Sequence, residues 1–233
     1  VTTVILLRHG RTTANTAGVL AGWTPGVRLD DAGTAQVQAV AQRLAPVPLA
    51  AVVSSPLERC QQSAGAVVEG RSIELQTDDR LGEARYGDWT GRPIKELVKE
   101  PLWKVVQQHP SAAVFPGDGG EGLAQTQARA VAAVREWNAE LGPDAVWLAC
   151  SHGDVIKAVL ADALGVHLDQ FQRIVVDPAS LSVVTYTDTR PFVARINDTG
   201  GDVAALIPPK KKRRGRRTAS SDAVVGGGAG APL

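Results

Sequence analysis

The chain has 233 residues, 44% hydrophobic and 21% charged, with a formal net charge of +1. That length suits one good core with at most a small subdomain, and the composition is that of a soluble globular protein. Two cysteines, Cys60 and Cys150, without CxxC spacing argue against a disulfide framework and a zinc site; no apolar run approaches membrane-spanning length, and without a basic-then-apolar leader a cytoplasmic location is expected.

In chain order, Val4-Ile5-Leu6-Leu7 predicts a buried strand ending in Arg8-His9-Gly10. A loop rich in Gly, Thr and Pro follows over residues 10–27. Asp30 or Asp31 caps a helix whose Val37, Val40, Ala41 and Leu44 share one face. Residues 50–55 predict a second strand ending in Ser54-Ser55-Pro56, followed by a helix with Leu57, Cys60, Ala64, Val67 and Val68 inward. A third strand is predicted over 73–75. The chain is then irregular over 81–93, with helical segments over 94–99 and 102–108 interrupted by Pro101, and a Gly-rich loop over 115–122. A long helix carries Leu123, Ala130, Val134, Trp137 and Leu141 at helical spacing up to the Gly142-Pro143 stop. Residues 145–150 predict a strand ending in Ser151-His152-Gly153. A helix with Ile156, Val159, Leu160 and Ala163 closes at Gly165, and two final strands are predicted over 180–187 and 192–197. Strands alternating with helices define an α/β fold class: a three-layer α/β/α sandwich, its central sheet mostly parallel with helices on both faces.

Ligands in open α/β sheets bind past the carboxyl ends of strands. Three such ends carry Arg8-His9-Gly10, Ser55-Pro56-Leu57-Glu58-Arg59 and Ser151-His152-Gly153-Asp154, the last two entering helices. Helix N-termini favour anions, guanidinium forks pair with phosphate oxygens, and Arg11-Thr12-Thr13-Ala14-Asn15 adds neutral donors. Two Arg and two His converging at one pole repel one another, which stability alone does not explain.

With these residues the chain resembles the histidine phosphatase superfamily, the phosphoglycerate mutase-like fold, in its cytoplasmic branch. The resemblance is carried by Arg8-His9-Gly10-Arg11-Thr12 up to Asn15, by Ser55-Pro56-Leu57-Glu58-Arg59 with Gln62-Ser63-Ala64, by Leu81-Gly82-Glu83 with Gly87-Asp88-Trp89-Thr90-Gly91, by Phe115-Pro116-Gly117 to Gly120-Glu121, and by Ser151-His152-Gly153. It spans roughly residues 3 to 200 in the family's order. It implies that His9 is the nucleophile, that Arg8, Arg59 and His152 clamp the phosphate with Asn15, Thr12 and Gly153 as further contacts, and that Glu83 is the proton donor and later the base. A free Glu titrates near 4.3, so that acid role needs a raised pKa or an acidic optimum. One departure stands out: where the family's loop often reads Gly-Glu-Ser, this chain has Gly120-Glu121-Gly122.

The expected function is phosphomonoester hydrolysis of a small phosphorylated metabolite through a phosphohistidine, without metal or cofactor. The alternative is a mutase using the same His9. It is disfavoured because Tyr86-Gly87-Asp88-Trp89-Thr90-Gly91 leads straight to a helix, with no Arg- and Pro-rich insertion. Trp23, Trp89 and Trp103 are open to two readings, pocket wall or core. His109 and His167 are expected at the surface or in caps, and Cys60 and Cys150 as buried small hydrophobes.

The organisation expected is a catalytic domain over 1–207 and a basic, disordered tail over 208–233. Lys210, Lys211, Lys212, Arg213, Arg214, Arg216 and Arg217 against Asp222 give residues 209–233 a charge of +6, leaving −5 on the rest. The solvated-tail reading is preferred, with nucleic-acid or acidic-partner binding as the alternative. Deleting 209–233 is expected to leave catalysis nearly unchanged. An exposed sheet edge leaves a homo-oligomer open.

Overall fold

The computed structural model describes residues 1–201 together with Val225, Gly226 and Gly228. Six strands form one sheet: β1 (Thr2–Arg8), β2 (Ala51–Ser54), β3 (Leu75–Thr77), β4 (Val146–Ser151), β5 (Leu181–Tyr186) and β6 (Pro191–Asp198), in the order β3-β2-β4-β1-β5-β6. β3, β2, β4 and β1 run parallel, whereas β5 and β6 are antiparallel additions. The helices are α1 (Thr13–Ala17), α2 (Asp31–Leu44), α3 (Glu58–Val68), α4 (Ile94–Leu97), α5 (Pro101–Gln108), α6 (Leu123–Leu141) and α7 (Gly153–Leu164).

Alternation along the strands sorts side chains between two cores. Val4, Leu6, Ala51, Val53, Trp147 and Ala149 face the larger one, beneath α6 and α7. Ile5, Leu7, Val52, Leu148 and Cys150 face the smaller one, closed by Val37, Val40 and Leu44 of α2 and Cys60, Ala64 and Val67 of α3. The three-layer α/β/α arrangement follows. Because β1, β2 and β4 are buried on both faces, they read as continuous apolar runs, whereas the edge strand β3 is largely exposed.

Register places the chemistry. Leu7 pairs with Cys150 and Arg8 with Ser151, while Ser54 also pairs with Cys150. The peptide N–H of His9 donates to the Ser151 carbonyl at 3.1 Å, and that of Ser55 to the Cys150 carbonyl at 2.9 Å. The three chemistry-bearing strand ends therefore lie side by side.

Several local expectations shift. The loop over 10–27 holds α1, with Thr12 as its cap and Gly18 closing it in the left-handed region. Asp30 caps α2, accepting from Gly33 N at 2.7 Å. Pro101 opens α5 at its first turn instead of interrupting a helix, because a first-turn residue needs no intrahelical N–H. A 3₁₀ segment, Leu168–Arg173, precedes the last two strands. Among the described residues no helix is long and apolar enough to cross a membrane. The basic run over 210–217, with its expected disorder and nucleic-acid binding, lies outside the described residues.

Candidate active site

Gly10 lets β1 turn into the site. A Cβ there would stand 2.6 Å from the Gly33 carbonyl oxygen, so α2 packs directly against the turn. Gly10 N donates to Ser63 Oγ at 3.1 Å, tying that turn to α3.

His9 is buried, and its Nδ1 lies 2.8 Å from the Gly10 carbonyl oxygen. A carbonyl only accepts, so this contact puts the proton on Nδ1 and leaves the Nε2 lone pair for chemistry. Burial, then the charges of Arg59 and Arg8, hold His9 well below the ordinary imidazole pKa. The ring is neutral and nucleophilic at pH 7.

The His152 ring stands 5.3 Å away, centroid to centroid, at 61°. His152 is the N-cap of α7, and Gly153 is the first residue of that helix. Ser55 Oγ lies 2.7 Å from its Nε2. Its Nδ1 lies 3.7 Å from Glu83 Oε2, but burial and the neighbouring Arg59, His9 and Arg8 push the imidazole well below its ordinary pKa. That approach is therefore a neutral contact at pH 7. An arriving anion would shift the balance towards imidazolium.

Arg59, in the first turn of α3, is 2% exposed. Its Nη2 donates to the Gly22 carbonyl at 2.9 Å. Its Nη1 is buried with no hydrogen-bond partner among the described residues, a donor suited to an anion's oxygen. Arg8 is fully buried, and its Nη1 donates to the Val176 carbonyl at 2.8 Å. Burial lowers its pKa, Glu83 and Asp154 oppose that, and an arginine remains charged.

Glu83 is 3% exposed. Burial, then the charge of Asp154, pushes its carboxyl up to about 7 against the pull of Arg59, the Ala84 N–H and Arg8. A carboxylic acid that holds its proton near neutrality can donate it. Its backbone is pinned from several sides. Trp23 Nε1 donates to the Glu83 carbonyl at 2.7 Å. Arg129 donates to the carbonyls of Arg80, Gly82 and Glu83 and forks onto Glu121 at 2.6 and 2.9 Å. Glu121 in turn accepts from Arg85 N at 3.1 Å.

Thr12 Oγ1 and N both donate to Asn15 Oδ1, so the two neutral donors of the sequence reading form the reciprocal cap of α1. That bond occupies Asn15 Oδ1 and leaves the amide nitrogen for a ligand.

His9, Thr12, Asn15, Arg59 and Glu83 line one cavity of about 460 Å³, with Lys95 at its exposed rim. Arg8, His152 and Gly153 are buried and are not part of that lining. None of Trp23, Trp89 and Trp103 lines it: Trp89 is 1% exposed in the core with Trp103 stacked on it. His109 and His167 are exposed around Asp169, and both cysteines are free and buried. Sequence reasoning missed Arg129, Tyr86 and Asp154. It also treated the tail as separate from the site, yet Val225, Gly226 and Gly228 line the same cavity. Composition describes a Gly-rich end as unstructured and carries no signal for where it docks.

The chain belongs to the histidine phosphatase superfamily (branch 1), whose family model matches residues 4–199. It is 28% identical to phosphoserine phosphatase 1 of Hydrogenobacter thermophilus over 204 residues, 84% of this chain and 92% of that protein. It is 30% identical to a probable phosphoglycerate mutase of Yersinia pestis over 208 residues, 87% and 94% of the two chains. The structure of a mycobacterial glucosyl-3-phosphoglycerate phosphatase, complexed with VO3, superposes with a TM-score of 0.75 at 25% identity, covering 84% of this chain and 98% of that one. The protein is an enzyme of this family, whose similar members include both phosphatases and a probable phosphoglycerate mutase.

Proposed function

We propose that His9 carries the phosphoryl group and that water, not a second substrate oxygen, receives it. The observation that carries this reading is the pairing, on one cavity, of a neutral imidazole with Nδ1 tied to Gly10 and a carboxyl that titrates near 7.

In the first half-reaction Nε2 of His9 attacks phosphorus as the P–O ester bond breaks, and Glu83 gives its proton to the departing alkoxide. In the second, Glu83 as carboxylate takes a proton from water, whose oxygen attacks phosphorus as the P–N bond breaks. Inorganic phosphate leaves and Glu83 is again protonated. Arg8, Arg59 and His152 bear the charge on the equatorial oxygens, with Asn15, held in place by Thr12, and the Gly153 end of α7 as further contacts. The two guanidinium charges, with His152 drawn towards imidazolium by the bound anion, supply the charge stabilisation a metal gives elsewhere, so the reaction is proposed to be metal-independent. A cytoplasmic location is part of the same reading, supported by two free thiols.

Hydrolysis is favoured over mutase activity because the roof of the cavity is short. On that side Val19 is bridged to Pro93, and Ile94 and Lys95 of α4 follow directly in the lining. The substrate class is a small phosphorylated metabolite. Release of p-nitrophenol from its phosphate ester without added metal, alongside isomerisation of 3-phosphoglycerate, tests this. Turnover of the ester that falls on the order of 10³-fold or more in His9→Ala is expected. Robust isomerisation would replace the hydrolase by a mutase.

A further inference from the structure

Asp154 is fully buried two residues past His152, and besides the charge it presents to Glu83 it has a second set of partners. Its Oδ2 accepts from Tyr86 Oη at 3.0 Å and from the peptide N–H of Gly226 at 2.8 Å. Lys157 Nζ stands 3.5 Å from its Oδ1. A peptide N–H given to a buried carboxylate is a charge-assisted bond, roughly twice as strong as a neutral one. The Gly226 carbonyl accepts from Arg8 Nη2 at 3.4 Å, so the same peptide reaches a phosphate-clamp arginine.

Packing reinforces the polar contacts. Val225 is 1% exposed and belongs to the core cluster that includes Leu20 and Tyr86. Gly226 has φ +76°, and a Cβ there would stand 2.8 Å from Leu20 Cδ1. Only glycine therefore fits this position without strain. Val225, Gly226 and Gly228 share the cavity wall with His9, Arg59 and Glu83, and about 460 Å³ remains with them in place. The segment bounds the space without filling it.

We propose that the segment carrying Val225 and Gly226 is a wall of the substrate cavity, anchored on Asp154, and that it restricts the enzyme to esters with small leaving alcohols. The proposal rests on the phosphomonoesterase reading. Removing the wall would open the space held by Val225 and leave the Leu20–Tyr86 face and the Asp154 carboxylate facing the cavity. Bulky esters gain from that opening, while small ones lose a contact surface.

The test compares kcat/KM for glycerol phosphate and 1-naphthyl phosphate in the full chain, in a chain lacking residues 218–233, and in Gly226→Ala. The truncation keeps the basic run, so its positive charge is not what changes. The ratio of naphthyl to glycerol ester should rise about tenfold on truncation, the scale at which pocket size discriminates, and in the same direction in Gly226→Ala. An unchanged ratio in both variants overturns the proposal. Amide exchange at Gly226 in the full chain gives a readout free of turnover: slow exchange is expected, and exchange at the rate of an open peptide overturns docking. Failure of the full chain and both variants to hydrolyse any ester would instead strike the phosphomonoesterase reading, with the exchange rate still deciding the anchor.

Discussion

Glu83 is the residue on which pH dependence turns. As an acid it must be protonated, and its pKa stands near 7. His9 is held well below its ordinary value, so it stays neutral throughout this range. The rate of His9 phosphorylation should therefore fall as pH rises through about 7, and Glu83→Gln should abolish that limb together with most of the rate. The same shift has a stability consequence of opposite sign. A carboxyl whose folded pKa lies above its unfolded value penalises the fold as pH rises from about 4.3 to about 7, fully so above that. Glu83→Gln should accordingly be more stable than wild type at pH 8 by on the order of 1–3 kcal/mol, seen as a higher melting temperature, and show little difference at pH 4. Equal melting temperatures at pH 8 would mean that Glu83 is not penalised in the fold. Arg129 acts through Glu83 without touching the cavity: it donates to the carbonyls of Gly82 and Glu83 and grips Glu121. Arg129→Met should lower kcat about 10- to 100-fold and displace the pH limb, with a smaller change in KM. A loss of stability with an unmoved pH limb would reduce Arg129 to a purely structural role.

At the scale of elements, the caps and strand ends decide how precisely the site is built. Asp30 caps α2 through Gly33 N and pairs with Arg11 at 2.8 Å. Asp30→Ala should destabilise by about 1–2 kcal/mol in urea unfolding, since a lost cap costs about that much and a partly exposed ion pair adds little. A change below a few tenths would show that the turn at Gly33 is held by packing alone. The elements also show what was readable beforehand. Strand ends bearing Arg8-His9, Ser55 and Ser151-His152 were legible because buried parallel strands are short apolar runs with polar ends. The long α6 and α7 were legible from their spacing and their glycine stops. The five-residue α1 was not: its apolar pattern is absent, and it is held by the Thr12–Asn15 cap that also serves the site. Pro101 reads as a break in the sequence because a proline's meaning depends on whether it falls at the first turn or inside a helix. Asp154, Tyr86 and Arg129 were hidden because the bonds that tie them to the site run to partners 46 to 72 residues away in the chain.

For the whole molecule, the two cores clamp the sheet, and the charged pole above it is the part left to be completed by an anion. Binding to the folded state alone raises stability by mass action, about 2.7 kcal/mol at a hundred times Kd, or roughly 5–10 °C for a domain of this size. Vanadate at that excess should raise Tm by such an amount in wild type and much less in Arg59→Ala. An equal rise in both would locate the anion elsewhere. The segment at Val225 and Gly226 belongs to this scale too, since it lines the same cavity as His9, Arg59 and Glu83. The central claim is the bond between phosphorus and His9 Nε2. Mass spectrometry of the peptide carrying His9, after alkaline quenching during turnover of p-nitrophenyl phosphate, tests it most directly. One phosphoryl group on His9 is expected in wild type, and neither that group nor turnover in His9→Ala. Phosphoryl found on another residue, or turnover persisting in His9→Ala, would contradict the account.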